Sequence, residues 1–144
     1  MKVVLQRVNG ARVEVDGEIV GSIGKGCVAF LGVADGDGKA AVEKMVDKIS
    51  RLRIFADADG KTNLAAKEVG GGILVVSQFT LTADLISNRP SFSRAAKPDA
   101  AKELYEYFLE QCKGKFALTA SGRFAAHMHV YSDNDGPFTL VLEG

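Results

Sequence analysis

Apolar and polar residues alternate in the first part of the chain, as in β-strands that bury one face. Val13 and Val15 alternate with charged neighbours, and Asp16-Gly17 separates them from a second short segment. An Asp-Gly pair in this position predicts a two-residue hairpin turn, because both turn residues need positive φ. A second turn at Gly24–Gly26 and an apolar run at 27–33 extend the prediction to a β-meander.

Two segments instead repeat apolar residues every three or four positions, which predicts amphipathic helices. Asp37 is predicted to cap the first helix. Its apolar positions are Val42, Met45, Val46, Ile49 and Leu52. The second helix is predicted to begin near Pro98 and to end at Lys113-Gly114. Its apolar stripe is Ala101, Leu104, Phe108 and Cys112.

Four further apolar runs predict strands, at 73–76, 115–119, 127–131 and 138–142. Blocks of strands with helices between them indicate an α+β fold. We expect a mainly antiparallel, barrel-like sheet, arranged as a meander, with two helices packed on it. The chain has 144 residues and no linker or repeat, so residues 1–144 are predicted to form a single domain.

Composition narrows the range of partners. The chain carries 18 basic and 18 acidic residues, so no net charge attracts nucleic acid or membrane. No apolar run approaches the roughly 20 residues that span a bilayer, and the N-terminus lacks the apolar core of a signal peptide. Cys27 and Cys112 stand singly, which favours buried thiols over a disulfide. We expect a cytoplasmic protein with no membrane or DNA partner.

Candidate chemistry begins where the strand at 73–76 ends in Ser77-Gln78-Phe79-Thr80. This turn offers two hydroxyls, an amide and exposed backbone N–H groups, which could hold a carbonyl oxygen. The alternative is an ordinary strand end whose hydroxyls bond local backbone. Thr80 as a nucleophile would need a base, for which His127 and His129 are the candidates. These histidines alone lack the supporting ligands of a metal site, so no metal is expected.

A second unusual segment is Asn134–Thr139. Pro137 cannot donate a hydrogen bond, so it must lie at the start of a strand or at a free edge. Gly136 permits close approach of backbone to a ligand, although a plain turn is the alternative. Arg7, among apolar neighbours, needs hydrogen-bond acceptors. Phe124 could stack on a base or fill the core.

Basic residues also mark one loop. Arg89, Arg94 and Lys97 surround Asn88–Phe92, which could face phosphates. The alternative is a solvated charged loop.

These motifs closely resemble the D-aminoacyl-tRNA deacylase family, in its bacterial, D-Tyr-tRNA form, over nearly the whole chain. The matching segments are 5–8, 15–17, 52–55, 75–81, 89–92, 121–124 and 134–139. The resemblance implies an esterase that cleaves a D-amino acid, or glycine, from the 3′ end of tRNA. It further implies a homodimer with the active site at the interface, and no cofactor.

The resemblance also implies roles for the residues. Ser77, Gln78, Phe79 and Thr80 would form the catalytic pocket, with backbone N–H groups receiving the scissile carbonyl. The 2′-hydroxyl of the RNA would assist catalysis, so that Thr80 would position the substrate rather than attack it.

The remaining roles concern substrate binding. Gly136-Pro137 would be cis and would enter the partner's pocket to reject L-amino acids. Arg7 would hold that segment, to which Asn134 and Thr139 also belong. Phe124 would contact the terminal adenosine.

The chain departs from the family pattern in places. The loop at 82–89 is less basic than usual, with Leu85–Asn88 where Lys and Arg often occur, and it is one residue shorter. His127 stands where an acidic residue is expected, and Phe138 where Val is common. Two other classes remain: an RNA-end or small-ligand binding module without turnover, and a hydrolase of small esters. The absence of a recognisable Ser-His-Asp or Cys-His set disfavours the latter.

Overall fold

The computed structural model describes residues 1–144, which form eight strands and two α-helices. The strands are β1 (Lys2–Val15), β2 (Glu18–Ile23), β3 (Gly26–Gly32), β4 (Phe55–Ala56), β5 (Thr62–Leu64), β6 (Gly72–Ser77), β7 (Thr119–Ser121) and β8 (His129–Glu143). The helices are α1 (Lys39–Arg51) and α2 (Pro98–Cys112), and short 3-10 helices span Ala66–Val69 and Phe79–Thr82.

The predicted first hairpin is confirmed. Asp16 and Gly17 join β1 to β2 with φ values of 51° and 79°. The second predicted turn is wrong, because Gly24–Gly26 does not reverse the chain. Both β2 and β3 pair antiparallel with β1, along successive stretches of it. At this junction the backbone passes so close to β6 that a Cβ on Gly26 would collide with the carbonyl oxygen of Gly72.

The main sheet follows the order β2-β1-β3-β6-β7, and β8 pairs with β1 along nearly its whole length. The three pairs that involve β1 are antiparallel, whereas β3–β6 and β6–β7 are parallel. Parallel neighbours need a crossover, and the segments that contain α1 and α2 supply these connections. The predicted α+β class, with a barrel-like sheet and two helices, is confirmed. The predicted meander is wrong, because β3 pairs with β1 and not with β2, and β6 and β7 join the sheet in parallel.

Helix α2 agrees with its prediction. It begins at Pro98, ends before Lys113-Gly114, and buries Leu104 and Phe108. The cap predicted for α1 is wrong. Gly38 occupies the N-cap, while the Asp37 carboxylate accepts a hydrogen bond from Ala34 N–H (2.8 Å) and pairs with the N-terminal ammonium (2.8 Å). These two partners lie outside the helix and turn the carboxylate away from it.

Two strand predictions need correction. The strand expected at 115–119 begins only at Thr119, because residues 113–116 form a turn after α2. The segments 127–131 and 138–142 belong to one continuous strand, β8, rather than to two. Since β8 pairs only with β1, its other edge is free, which satisfies the requirement stated for Pro137.

The core occupies both faces of the sheet. Alternate residues of β6 divide between them: Ile73 and Val75 pack with the helices, and Leu74 and Val76 pack inside the curved sheet. Cys27 and Cys112 are buried free thiols, as predicted. Burial raises the pKa of each thiol to about 12. No helix is long and apolar enough to cross a membrane.

Candidate active site

The first part of the site is the end of β6. Ser77 is the last residue of the strand, and the Gln78 N–H donates to the carbonyl oxygen of Leu31 in β3 at 2.7 Å. The 3-10 helix then begins at Phe79, and the Thr82 hydroxyl donates to the Phe79 carbonyl oxygen at 2.7 Å. The turn is therefore hydrogen-bonded to β3 at its start, and its last residue is hydrogen-bonded to Phe79 within the turn.

The turn carries backbone N–H groups that have no acceptor within the protein. The first N–H groups of a helix have no acceptor within that helix, and here these belong to Phe79 and Thr80. Such groups are suited to hold an oxygen that gains negative charge. The carbonyl-binding role of this turn stays a prediction.

A cavity of about 700 Å³ opens beside the turn, within the size range of small-ligand sites. Ser77, Gln78 and Phe79 line one side of it, and Phe124 lines another. The predicted pocket residues and the predicted adenosine contact thus meet at one cavity. Thr80 does not line it.

The Thr80 hydroxyl accepts a hydrogen bond from the Gln78 amide. His127 lines the cavity and contacts the ring of His129 at 5.2 Å between centroids. Neither histidine hydrogen-bonds to Thr80. The structure therefore does not assemble the Thr80–histidine pair that was one reading of the sequence.

Tyr105 is a cavity residue that the sequence analysis missed. Its hydroxyl donates to the Val75 carbonyl oxygen of β6 at 3.0 Å, and its ring packs at 5.7 Å from that of Phe124. Burial raises the pKa of this phenol above its ordinary value, with a smaller opposing effect from the neighbouring Ser121 hydroxyl. Tyr105 follows Leu104 on the buried side of α2, so its sequence position indicated only core packing.

No carboxylate lines the cavity; its ionisable side chains are Lys97, Tyr105 and His127. The Lys97 ammonium, with no carboxylate beside it in the lining, favours a ligand that carries negative charge, such as a phosphodiester.

The second part of the site is a bulge in β8. Gln6 pairs with Thr139 and Val8 pairs with Asn134, so Arg7 alone faces the four residues 135–138. The extra residues loop out of the ladder, as in other β-bulges. The segment is therefore a bulge within an edge strand, and not the plain turn that was the alternative for it.

Asn134 closes this bulge from both sides. Its side-chain oxygen accepts from the Phe138 N–H at 2.9 Å, and its amide nitrogen donates to the Thr139 hydroxyl at 2.9 Å. Arg7 holds the centre by donating to the Asp135 carbonyl oxygen and to the Ile54 carbonyl oxygen.

Gly136 and Pro137 form the exposed tip of the bulge and are joined by a cis peptide bond. Gly136 has a φ of 133°, and a Cβ there would lie 3.2 Å from Arg7 Nη2 and 3.1 Å from Phe138 N. The Arg7 guanidinium also stacks on the Phe138 ring at 4.6 Å. The bulge is therefore packed around a residue without a side chain.

Within one chain the two parts remain separate. Neither Arg7 nor any residue of the Asn134–Thr139 segment lines the cavity. One chain thus offers an open cavity with backbone donors on one surface and a rigid protruding main-chain segment on another.

Comparison with known proteins assigns this architecture first to a class of enzymes, the hydrolases named deacylases. The chain is 51% identical to a D-aminoacyl-tRNA deacylase of Pseudomonas putida (strain W619) over 99% of both chains. It is also 51% identical to a D-aminoacyl-tRNA deacylase of Lactobacillus delbrueckii subsp. bulgaricus (strain ATCC BAA-365 / Lb-18), again over 99% of both.

The family model described as D-Tyr-tRNA(Tyr) deacylase matches residues 4–143, and the chain belongs to this family. A solved structure described as the c-Myc DNA Unwinding Element Binding Protein is 40% identical, with a TM-score of 0.94, over 100% of this chain and 99% of the other. A probable eukaryotic D-amino acid tRNA deacylase shares the fold at 18% identity, with a TM-score of 0.84 over 98% and 97% of the two chains.

Proposed function

We propose that this protein hydrolyses the ester bond of D-aminoacyl-tRNA, and of mischarged glycyl-tRNA, and leaves L-aminoacyl-tRNA intact. Family membership supports the reaction class. The observation that carries the assignment to a site is the Ser77–Phe79 turn, which brings the start of a 3-10 helix to the cavity wall. In this proposal residues 1–144 act as one cytoplasmic domain without a cofactor.

The turn would act on the scissile carbonyl. The oxygen of that carbonyl would accept a hydrogen bond from the N–H group of Phe79, which lines the cavity, and this bond would stabilise the charge that develops during attack. The loss of one such donor typically lowers a rate by about 10²–10³-fold. Phe124 would stack on the terminal adenosine beside this position, since aromatic side chains bind unpaired bases in this way.

The reactive hydroxyl in this proposal belongs to the substrate. The Thr80 hydroxyl accepts a hydrogen bond from the Gln78 amide, and no histidine hydrogen-bonds to it as a base would. The 2′-hydroxyl of the terminal ribose adjoins the ester at the 3′ position. It would assist the attack of water on the ester carbonyl carbon, from which the 3′ oxygen leaves. Ser77, Gln78 and Thr80 would then position the ester rather than form a covalent intermediate.

The β8 bulge of a second subunit would distinguish D-aminoacyl esters from L-aminoacyl esters. We infer a homodimer in which Gly136-Pro137 of one subunit enters the cavity of its partner. The cavity is open, and the bulge protrudes elsewhere on the same chain, so each would complete the other across a two-fold axis.

A main-chain wall next to the substrate Cα would exclude an L side chain whatever its identity, because the clash occurs at Cβ. Arg7 and Asn134 would keep the wall rigid, and Thr139 would anchor Asn134. Glycine has no side chain to exclude, so its ester would be cleaved as well.

The test compares D-Tyr-tRNA with L-Tyr-tRNA as substrates of the purified protein in EDTA. We expect release of D-tyrosine with L-Tyr-tRNA spared. Equal cleavage of both esters, or dependence on added metal, would contradict the proposal. Tight tRNA binding without release of the amino acid would identify a binding module instead.

A further inference from the structure

We propose that Leu85 and Ile86, at the tip of the loop 84–91, form an apolar platform for the unpaired bases at the 3′ end of the tRNA. This inference rests on the proposed function and adds a second contact region to it. The platform would bind the nucleotides that precede the terminal adenosine, whereas the cavity binds the adenosine and the ester.

The loop is ordered by its own hydrogen bonds. Asp84 and Ser91 exchange backbone hydrogen bonds of 2.8 and 3.0 Å, which closes the base of the loop. The Ile86 N–H donates to the Asp84 carboxylate at 3.0 Å, and the Arg89 N–H donates to the Ser87 hydroxyl at 3.2 Å. The loop therefore presents its side chains from a fixed backbone.

Its apolar side chains are exposed at the tip. Ile86 is 92% exposed and Leu85 is 70% exposed, although Leu and Ile normally gain free energy by leaving water. Neither belongs to the apolar clusters of the core. Two adjacent aliphatic side chains on an ordered loop form a surface that a flat apolar partner, such as a base, can cover.

The loop is connected directly to the cavity. Phe92 follows it in sequence and packs edge-on against Phe79 with 5.0 Å between ring centroids, and both rings line the cavity. From Ser91 to Ile86 the chain spans five residues, which limits the separation to roughly 17 Å. The tip therefore lies within reach of the nucleotides adjoining the one in the cavity.

The charges of this segment favour RNA over another apolar partner. Residues 84–97 contain Arg89, Arg94 and Lys97 against one acidic residue, Asp84, a net charge of 3 − 1 = +2 in a chain of net charge zero. Asp84 pairs with Arg94 at 3.6 Å, while Arg89 has no carboxylate partner. Arg89 can thus meet a backbone phosphate while the aliphatic tip covers a base face.

The experiment uses the double variant Leu85→Ser/Ile86→Ser and two substrates, D-Tyr-tRNA and the D-tyrosyl ester of adenosine alone. We expect kcat/KM for the tRNA to fall about tenfold, mainly through KM, because serine leaves less apolar surface for a base to cover. Hydrolysis of the adenosine ester should stay unchanged. Arg89→Gln should flatten the salt dependence of KM for the tRNA only.

The matched control is Ile19→Ser, which removes an aliphatic side chain that is 61% exposed on β2, outside this loop. This variant should leave kcat/KM unchanged for both substrates.

Three results would overturn the inference. The first is an equal fall in kcat/KM for both substrates, and the second is no fall for either. The third is a change in the oligomeric state of the double variant, which would assign the tip to contact between subunits. If the unaltered protein cleaves neither ester, the proposed function itself fails. That outcome is distinct, because it does not involve the variants.

Discussion

The guanidinium of Arg7 donates two hydrogen bonds to the carbonyl oxygen of Asp135, from Nε at 3.2 Å and from Nη2 at 3.1 Å. Its remaining nitrogen donates to the Ile54 carbonyl oxygen at 2.8 Å, and the side chain is only 16% exposed. Arg7 therefore ties the exposed bulge of β8 to the interior of the protein.

Arg7→Lys should slow cleavage of D-Tyr-tRNA by about tenfold or more, because a lysine cannot reproduce this set of donors on a planar group. The measurement is kcat/KM for the D- and L-esters. Arg12→Lys on the same strand is the control, because Arg12 is paired with Glu14 at the surface. Equal rates for Arg7→Lys and the unaltered protein would remove Arg7 from the site.

Gly136→Ala should reduce D-ester cleavage by about tenfold or more, because the new Cβ would press on Arg7 and Phe138 at a φ of 133°. Gly60→Ala serves as the control. Gly60 also has positive φ, at 78°, but has no neighbour within 4 Å of the added Cβ. The Gly60 variant carries the conformational cost of alanine in the left-handed region, about 1 kcal/mol, without contacts to the bulge, so a similar activity in the two variants would argue against a role for the bulge.

Two impaired variants should complement each other if the active site is shared between subunits. Gly136→Ala impairs the bulge, whereas Gln78→Ala impairs the turn beside the cavity. Coexpression in equal amounts should recover about a quarter of the sites, because half of the dimers are mixed and each mixed dimer holds one intact site. Activity no higher than that of the separate variants would indicate that each subunit works alone.

Thr80→Ala should retain deacylation within about tenfold of the original rate, because positioning residues contribute less than a nucleophile. The variant loses the hydrogen bond from Gln78 but keeps the backbone N–H groups of the turn. Single-turnover rates on D-Tyr-tRNA make the comparison. Complete loss of cleavage in a folded variant would restore Thr80 as the nucleophile.

Ionisation of the buried Cys27 and Cys112 thiols should lower the free energy of unfolding at alkaline pH. Burial raises the pKa of both thiols from 9.0 to about 12, so the folded state holds their protons more tightly than the unfolded state. This contribution is complete below pH 9 and is lost as the pH rises towards 12. Urea unfolding at pH 8 and pH 10 should show a lower free energy of unfolding at pH 10.

A thiol reagent provides the complementary check. At pH 8 the native protein should react far more slowly than the protein in urea, where both thiols are accessible. Rapid labelling of the native state would show that Cys27 or Cys112 is not held in the core.

Local sequence signals determined the elements that depend on neighbouring residues. Asp16-Gly17 predicted its hairpin because the turn type itself requires residues that tolerate positive φ. Pro98 and Gly114 marked the limits of α2 because proline suits the first turn of a helix and glycine suits the position after its end. Spacing predicted most of the buried residues of the two helices, but it missed Tyr105 in α2.

Predictions failed where partners outside the predicted element compete for one of its residues. Asp37 does not cap α1, because its carboxylate instead bonds Ala34 and the chain's first residue. The junction at Gly24–Gly26 is not a reversal, because β1 offers one long edge on which both β2 and β3 can pair.

For the site, the sequence alone determined which two segments are unusual, since Ser77–Thr80 and Asn134–Thr139 stand out by residue type. The tertiary structure was needed to show that the first lines a cavity with Tyr105 and Phe124, and that the second is a bulge held by Arg7. Such features arise from packing and strand register, and the bulge brings Arg7 to Asp135, which lies 128 positions away in the sequence.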